Sequence, residues 1–320
     1  MSDLPRYPLI FNPNARSQRG RRTLRFLMAN AQNFALYASR SLDDARELTE
    51  KFVKDGEPVV VAAGGDGTLN GVVQALAGTE TALGVLPAGT MNVFARELGL
   101  PFNSLKKSLD VLNAGYIKEV DLFEANGHAF MQMAGVGFDA QVIEETPWES
   151  KKVFGPMAYL MSAVRVLGDT PPKMKVTCDD GRVEEGVCVL AGNGSLYGGQ
   201  IKLFNKADNC DEMLDVLVFT EAGYKLVTDS LKGLATGEMG SDRSSVNYLQ
   251  ARSFRIECDR DVPMEADGEL IGRVRDVTLA PAKRKLRVVA PENMKNGLFS
   301  SMMKALLNGP RRNVDLGEQI

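Results

Sequence analysis

Seven consecutive residues, Gly64-Gly65-Asp66-Gly67-Thr68-Leu69-Asn70, have the types and spacing of a turn that holds phosphate. Where a strand's carboxyl end turns into a helix's amino end, backbone N–H groups lie free and the helix dipole presents its positive end. Glycines let an anion approach both. The lysine of a GxxxxGK[ST] loop is absent, so the holding groups are backbone amides with Thr68 and Asn70, and Asp66 is expected to face a metal or the nucleotide. Two carboxylate clusters stand far along the chain. Asp208, Asp211, Glu212 and Asp215 offer hard oxygen ligands for a divalent ion, although their spacing alone favours a solvated acidic loop. Asp267-Gly268-Glu269 reads locally as a type I′ hairpin turn between two apolar runs. A carboxylate held there at a cleft edge could also take the proton of a hydroxyl under phosphorylation.

The elements that must position these groups follow from periodicity. Pro58 to Ala63 is a short β-branched apolar run, a buried strand, and Leu69, Val72, Val73 and Leu76 make the stripe of the helix after the turn. Strands at Leu9 to Phe11, Phe34 to Tyr37, Pro58 to Ala63 and Ala82 to Leu86 alternate with helices up to residue 114, which implies a parallel sheet covered on both faces. Ligands of such sheets sit beyond the strands' carboxyl ends, where the polar turns at Asn12, Gly64 to Asn70 and Gly89 to Asn92 all fall. Arg19, Arg21, Arg22 and Arg25, on the first helix, read equally as a second anion site and as a solvated face. From about Val120 short glycine-punctuated β runs take over, the pattern of an antiparallel sandwich, with helical inserts at Val153 to Leu167 and Ala222 to Thr236. An apolar helical face from Leu298 to Leu307 is expected to close back on a domain rather than bind a membrane.

Composition narrows the function classes. With 320 residues, 44% hydrophobic and 25% charged, the chain has room for two globular domains. A net charge of −3 argues against a nucleic-acid partner. No signal peptide and no apolar run near the roughly 20 residues of a membrane span is visible, which points to a cytoplasmic protein, at most peripheral to a membrane. Cys178, Cys188, Cys210 and Cys258 are dispersed and read as reduced small hydrophobes. The single histidine, His128, beside Asn126-Gly127, reads as a surface turn residue.

Motifs in one order through the whole chain resemble the diacylglycerol kinase catalytic-domain family, in its bacterial lipid kinase branch, related to sphingosine and ceramide kinases. They are Asn12-Pro13, Gly64 to Asn70, Pro87 to Arg96 with Leu98 to Pro101, Gly135 to Ala140, and Lys151-Lys152 with Gly155 and Ala158-Tyr159. Gly192-Asn193-Gly194, Gly198-Gly199, Asp211 with Leu214-Asp215-Val216, and Asp267-Gly268-Glu269 complete the series. The resemblance implies an α/β, Rossmann-like nucleotide-binding domain over residues 1–121, onto which a helix at about 293–309 packs back, and a β-sandwich lipid-substrate domain over 122–292, with ATP between them. It implies ATP contacts from Asn12, Pro13, Asn14, Ala15, Arg16, Ser39, Gly65, Asp66, Gly67, Thr68, Leu69, Asn70, Gly71 and Thr90. A structural Mg2+ would be held by the Asp211 carboxylate and the backbone carbonyls of Asp208 and Met213. Glu269 would be the base, Asp267 its partner or competitor, and Asp121 a helper through water, with a second Mg2+ arriving with ATP near Asp66. The acceptor would be a lipid at a membrane surface, diacylglycerol or a related glycerolipid, and a homodimer is compatible with this reading.

Three positions depart from the family pattern: Gly71 for an acidic residue, Val93 for an aspartate and Glu212 for a glycine. The rival readings are an NAD kinase, which shares the Gly-Gly-Asp-Gly turn, and a nucleotide- or lipid-binding regulator with weakened catalysis.

Overall fold

The computed structural model describes residues 6–13, 18–137, 171–199, 201–221 and 245–292. The helical inserts and the C-terminal helix expected from the sequence lie outside these residues. The first half alternates as expected: β1 (Tyr7–Phe11), α1 (Gln18–Ala29), β2 (Phe34–Ala38), α2 (Leu42–Lys54), β3 (Val59–Gly64), α3 (Asp66–Leu76) and β4 (Ala82–Pro87). Short helices α4 (Val93–Glu97) and α5 (Leu105–Ala114) and strand β5 (Ile117–Val120) follow. Ser41 and Ser104 start α2 and α5, each accepting a backbone N–H with its side chain, from Asp44 and Lys107.

Strand alternation divides the first sheet's apolar residues into two cores. Ile10, Val60, Ala62, Leu83 and Val85 pack with Leu69, Val72 and Val73 of α3. Leu9, Val61, Ala63 and Leu86 pack with Leu27 of α1 and Leu109 and Leu112 of α5. Both faces are covered, so β3 and β4 are buried at every position and read as continuous apolar runs.

The second half is a run of short strands: β6 (Phe123–Ala125), β7 (His128–Phe130), β8 (Met133–Val136), β9 (Met174–Cys178), β10 (Val183–Gly186) and β11 (Cys188–Gly192). Then come β12 (Leu196–Tyr197), β13 (Ile201–Lys202), β14 (Leu214–Phe219) and β15 (Val246–Ala251). Two long strands, β16 (Phe254–Ala266) and β17 (Glu269–Pro281), and a final β18 (Leu286–Val289) close the described chain. Every pairing in the 10-stranded second sheet is antiparallel, and residues from nine of its strands share one core that includes Val136, Val176, Val216, Phe254 and Met264. The protein therefore joins an α/β unit with a largely parallel sheet to an antiparallel β-sandwich-like unit.

Two features depart from the pattern in the sequence. The apolar runs at Ser253 to Glu257 and Val274 to Ala280 are the base of one hairpin whose two strands have 13 residues each. Its register shifts between Glu257 and Val262, and charged Asp259, Arg260, Asp261, Arg273 and Arg275 there hide the strand signal. The run at Leu286 to Ala290, grouped by sequence with the β-rich half, supplies β18 to the first sheet. Its order is β2-β1-β3-β4-β18-β5, with β18 parallel to β4 and antiparallel to β5. Strand order is set by tertiary pairing and leaves no local mark.

Candidate active site

Because β1, β3 and β4 are neighbours, the turns leaving their carboxyl ends meet. The contact is between glycines: a Cβ on Gly89 would fall 2.4 Å from the Gly65 Cα. Ala88 and Gly89 donate their N–H groups to the Gly64 carbonyl, at 2.8 and 3.2 Å. Asn92, at φ +47°, closes the second turn on itself: its side chain accepts the Gly89 N–H at 2.9 Å and donates to the Gly89 carbonyl at 2.8 Å. Arg19 braces the same segment by donating to the carbonyls of Gly89 and Thr90. This arginine thus has a structural bond, whereas Arg21, Arg22 and Arg25 are exposed.

Within the glycine turn, Gly65 to Thr68 are half-buried at the mouth and Leu69 to Gly71 are buried. Thr68 leans back over Gly64, where any Cβ would lie 2.3 Å from its Oγ1. Asp66 accepts the Phe94 N–H at 3.3 Å, so its carboxylate caps the amino end of α4. Burial raises its pKa, and the N–H groups of residues 92 to 94 oppose that shift. Leu69 belongs to the core, and Asn70 accepts from Gln74 at 2.8 Å. Asn12 is half-buried and Pro13 exposed beyond β1; Thr90 is exposed. Ser39 is buried beyond β2, its N–H donated to Phe11. Asn14, Ala15 and Arg16 lie outside the described residues.

The long hairpin brings the distant carboxylates to this turn. Asp267 and Gly268 have φ of +49° and +84°, the left-handed pair of a type I′ turn. One oxygen of Glu269 lies 3.5 Å from where a Cβ on Gly67 would stand, so the candidate base lies beside the glycine turn. Asp267 is turned inward. Its Oδ2 accepts the Met131 N–H at 2.8 Å, and its Oδ1 accepts those of Gln132 and Met133 at 2.9 and 3.0 Å. Burial pushes its carboxyl up to about 6 against those three donors, and the Asp66 charge adds to the rise. Asp267 is thereby committed to holding the tip of the hairpin on the 131–133 backbone.

Beside Glu269 a cavity of about 230 Å³ opens between α2, α3 and the hairpin tip, and Arg46, Asn70, Gly71, Gln74 and His128 also line it. His128 is half-buried here, not a surface turn residue, and its buried Nε2 has no hydrogen-bond partner. Burial and the nearby Arg46 lower its pKa.

The acidic loop folds on Asp121, a buried residue. Asp121 donates its N–H to the Asn209 carbonyl at 2.7 Å, accepts the Glu212 N–H at 2.6 Å and meets the Lys285 ammonium at 2.8 Å. Glu212 keeps the left-handed conformation that a glycine would take, at φ +61°, and its carboxylate pairs with Lys285 and Arg252. Among the described residues no three His, Cys, Asp or Glu side chains are arranged to hold a metal. The metal that the resemblance implies would be held through oxygens instead, by the Asp211 carboxylate and the backbone carbonyls of Asp208 and Met213. Burial raises the Asp211 pKa, the charges of Asp208 and Asp121 add to the rise, and the Met213 N–H opposes it.

The diacylglycerol kinase catalytic domain model matches residues 6–125, and a model described as the YegS C-terminal NAD kinase beta sandwich-like domain matches 132–290. Residues 6–125 belong to the diacylglycerol kinase catalytic-domain family. Relatives named diacylglycerol kinase from Staphylococcus saprophyticus and Staphylococcus aureus are 28% and 29% identical over 302 residues. These matches cover 90% of this chain and 96% and 93% of theirs. A crystal structure of a putative diacylglycerol kinase from Bacillus anthracis superposes with a TM-score of 0.74 at 22% identity, covering 91% of this chain and 99% of that one. An NAD kinase from Archaeoglobus fulgidus in complex with ATP superposes with a TM-score of 0.52 at 10% identity, covering 93% and 98%, a likeness of fold alone.

Against the diacylglycerol kinase family pattern, the three departures have local explanations. Gly71 lies where α2 crosses α3, and a Cβ would come within 2.8 Å of the Leu42 carbonyl. Val93 begins α4, whose amino end takes its carboxylate from Asp66 instead. Glu212 adopts the turn and gains two cationic partners. Two residues around the site went unseen in the sequence. Gln132 left one faint signal, an amide inside Phe130-Met131-Gln132-Met133, and Glu97 left none, since it ends a helix beside an arginine.

Proposed function

We propose that this protein is an ATP-dependent lipid kinase that transfers the γ-phosphoryl group of ATP to a hydroxyl of diacylglycerol or a related glycerolipid. The carrying observation is the nearness of the Glu269 carboxylate to Gly67, where a Cβ would stand 3.5 Å from its oxygen: a proton acceptor lies beside the turn proposed to hold the transferred phosphate. The names of the relatives support the acceptor class. Residues 1–121 form the nucleotide side and 122–292 the lipid side, with β18 lent back to the first sheet. No described helix is long and apolar enough to cross a membrane, which fits an enzyme working from the cytoplasm on a membrane surface.

In this mechanism the amides at the start of α3 and the half-buried Gly65 to Thr68 mouth hold the ATP phosphates. Glu269 accepts the proton of the lipid hydroxyl as its oxygen attacks the γ-phosphorus; the bond to the β-phosphate oxygen breaks and ADP leaves. Asp267 fixes the turn that carries Glu269. A Mg2+ bound with ATP near Asp66 would neutralise phosphate charge, and one held by the Asp211 carboxylate and the carbonyls of Asp208 and Met213 would be structural.

The test is phosphoryl transfer from labelled ATP to diacylglycerol vesicles, with NAD as a parallel acceptor. Glu269→Gln should lower kcat by about 100-fold or more with ATP affinity unchanged. Full activity of that variant would remove Glu269 from its role, and labelling of NAD instead of lipid would support the NAD kinase reading.

A further inference from the structure

Helix α4 has five residues, and a carboxylate acts at each end. At its start Asp66, from the phosphate turn, accepts the Phe94 N–H. At its end Glu97 reaches across to the β-rich half. Its Oε1 accepts the Ser195 hydroxyl at 2.9 Å; its Oε2 accepts the Leu196 N–H at 3.0 Å and the Gln132 side-chain amide at 3.2 Å. Among the described residues no lysine or arginine pairs with Glu97. A charged acceptor spent on three neutral donors, all from the other half, serves geometry rather than charge balance, and such bonds are about twice as strong as neutral ones.

Gln132 carries the connection onward. Its side-chain nitrogen also donates to the Leu196 carbonyl at 3.0 Å, so both of its acceptors fix which way the amide points. Its backbone N–H goes to Asp267. Room for the side chain comes from Gly194, where a Cβ would lie 2.4 Å from the Gln132 nitrogen. One bonded path therefore runs from Asp66 through α4 to Glu97, Gln132 and Asp267, and ends two residues from Glu269.

We propose that Glu97, acting through Gln132, is a positioning residue that sets the distance between the phosphate turn and the Glu269 carboxylate. This rests on the lipid kinase reading for its catalytic consequence, but the path itself is independent of the acceptor. Both ends of the reaction are held by different halves of the chain, and an error near 1 Å between them costs about 100-fold in rate.

The experiment combines kinetics with amide hydrogen exchange on the full chain. Glu97→Ala should lower kcat by about 10- to 100-fold while KM for ATP stays within about twofold. Gln132→Ala should do the same, and the double variant should be no worse than the weaker single one, as expected of one path. Exchange in Glu97→Ala should quicken at residues 131–133 and 267–269 and stay unchanged in β1 and β3. Unchanged kcat and unchanged exchange would overturn the proposal, as would a parallel loss of ATP binding and of protection throughout the first sheet. Should Glu97→Ala not fold, Glu97→Gln, which keeps one acceptor oxygen, carries the test: intermediate kcat with intact protection supports the proposal, and wild-type kcat overturns it. If the wild type phosphorylates no lipid, the kinase reading fails, while the exchange data still decide the path.

Discussion

Replacing Asp267 by Asn separates its structural bonds from any proton transfer. The carboxylate accepts three backbone N–H groups, two on Oδ1 and one on Oδ2. An asparagine oxygen can keep the pair from Gln132 and Met133, but its NH2 then faces the Met131 N–H, donor against donor. One buried N–H left unsatisfied costs about 1–3 kcal/mol, and the two retained bonds each lose their charge assistance. The expected destabilisation is about 2–4 kcal/mol, read as a lower urea midpoint with unchanged slope. The turn that carries Glu269 loosens at the same time, so kcat should fall by about tenfold or more, with KM for ATP within twofold because the Gly64 to Asn70 turn is untouched. A variant within about 0.5 kcal/mol of wild type would refute the clamp. So would one that lost ATP affinity in step with kcat.

Other substitutions probe other parts. Gly89→Ala places a methyl 2.4 Å from the Gly65 Cα, both on backbone, so the two turns must separate; ATP affinity should fall by about tenfold, and an unchanged Kd by calorimetry would refute the packing of the turns. Lys285→Met leaves the buried Asp121 without its cation and should cost about 2 kcal/mol in urea unfolding, less than the roughly 3–5 of a fully buried pair because the lysine is 33% exposed; millimolar Mg2+ should restore part of that loss if the loop takes a cation. For pH, Asp215 is also raised to about 6, by burial, while Tyr248 and Gln250 donate to it. Its fold holds a proton that the unfolded chain releases near 4, so its contribution to stability is complete below that pH and lost as pH rises through 6. Wild type should lose stability relative to Asp215→Asn between pH 4 and 6, and the opposite slope would refute the burial argument. Activity should rise over the top of the same window as Asp267 ionises and accepts its three amides fully.

Much of this was legible in the sequence, for a physical reason. Buried parallel strands and amphipathic helices write their periods into the chain, so β1 to β4 and the glycine turn between β3 and α3 could be located, and the Asp-Gly pair revealed the hairpin tip. What the tip touches was not legible. Gly67 and Glu269 are 202 positions apart, and the strands between them carry charges on the solvent face that imitate loop. Polar residues that act through backbone atoms leave still less trace: nothing in the neighbourhood of Glu97 or Lys285 distinguishes them from ordinary surface charges.

The placing of β18 has a consequence for synthesis. The strand inserts between β4 and β5, so the first sheet lacks an interior member until residue 289 has been made. A nascent chain that ends at residue 121 still exposes the edge of β4, and its β5 lacks the strand it pairs with among the described residues. The half translated first is therefore the half completed last, and its sheet closes only after the β-rich half has been made.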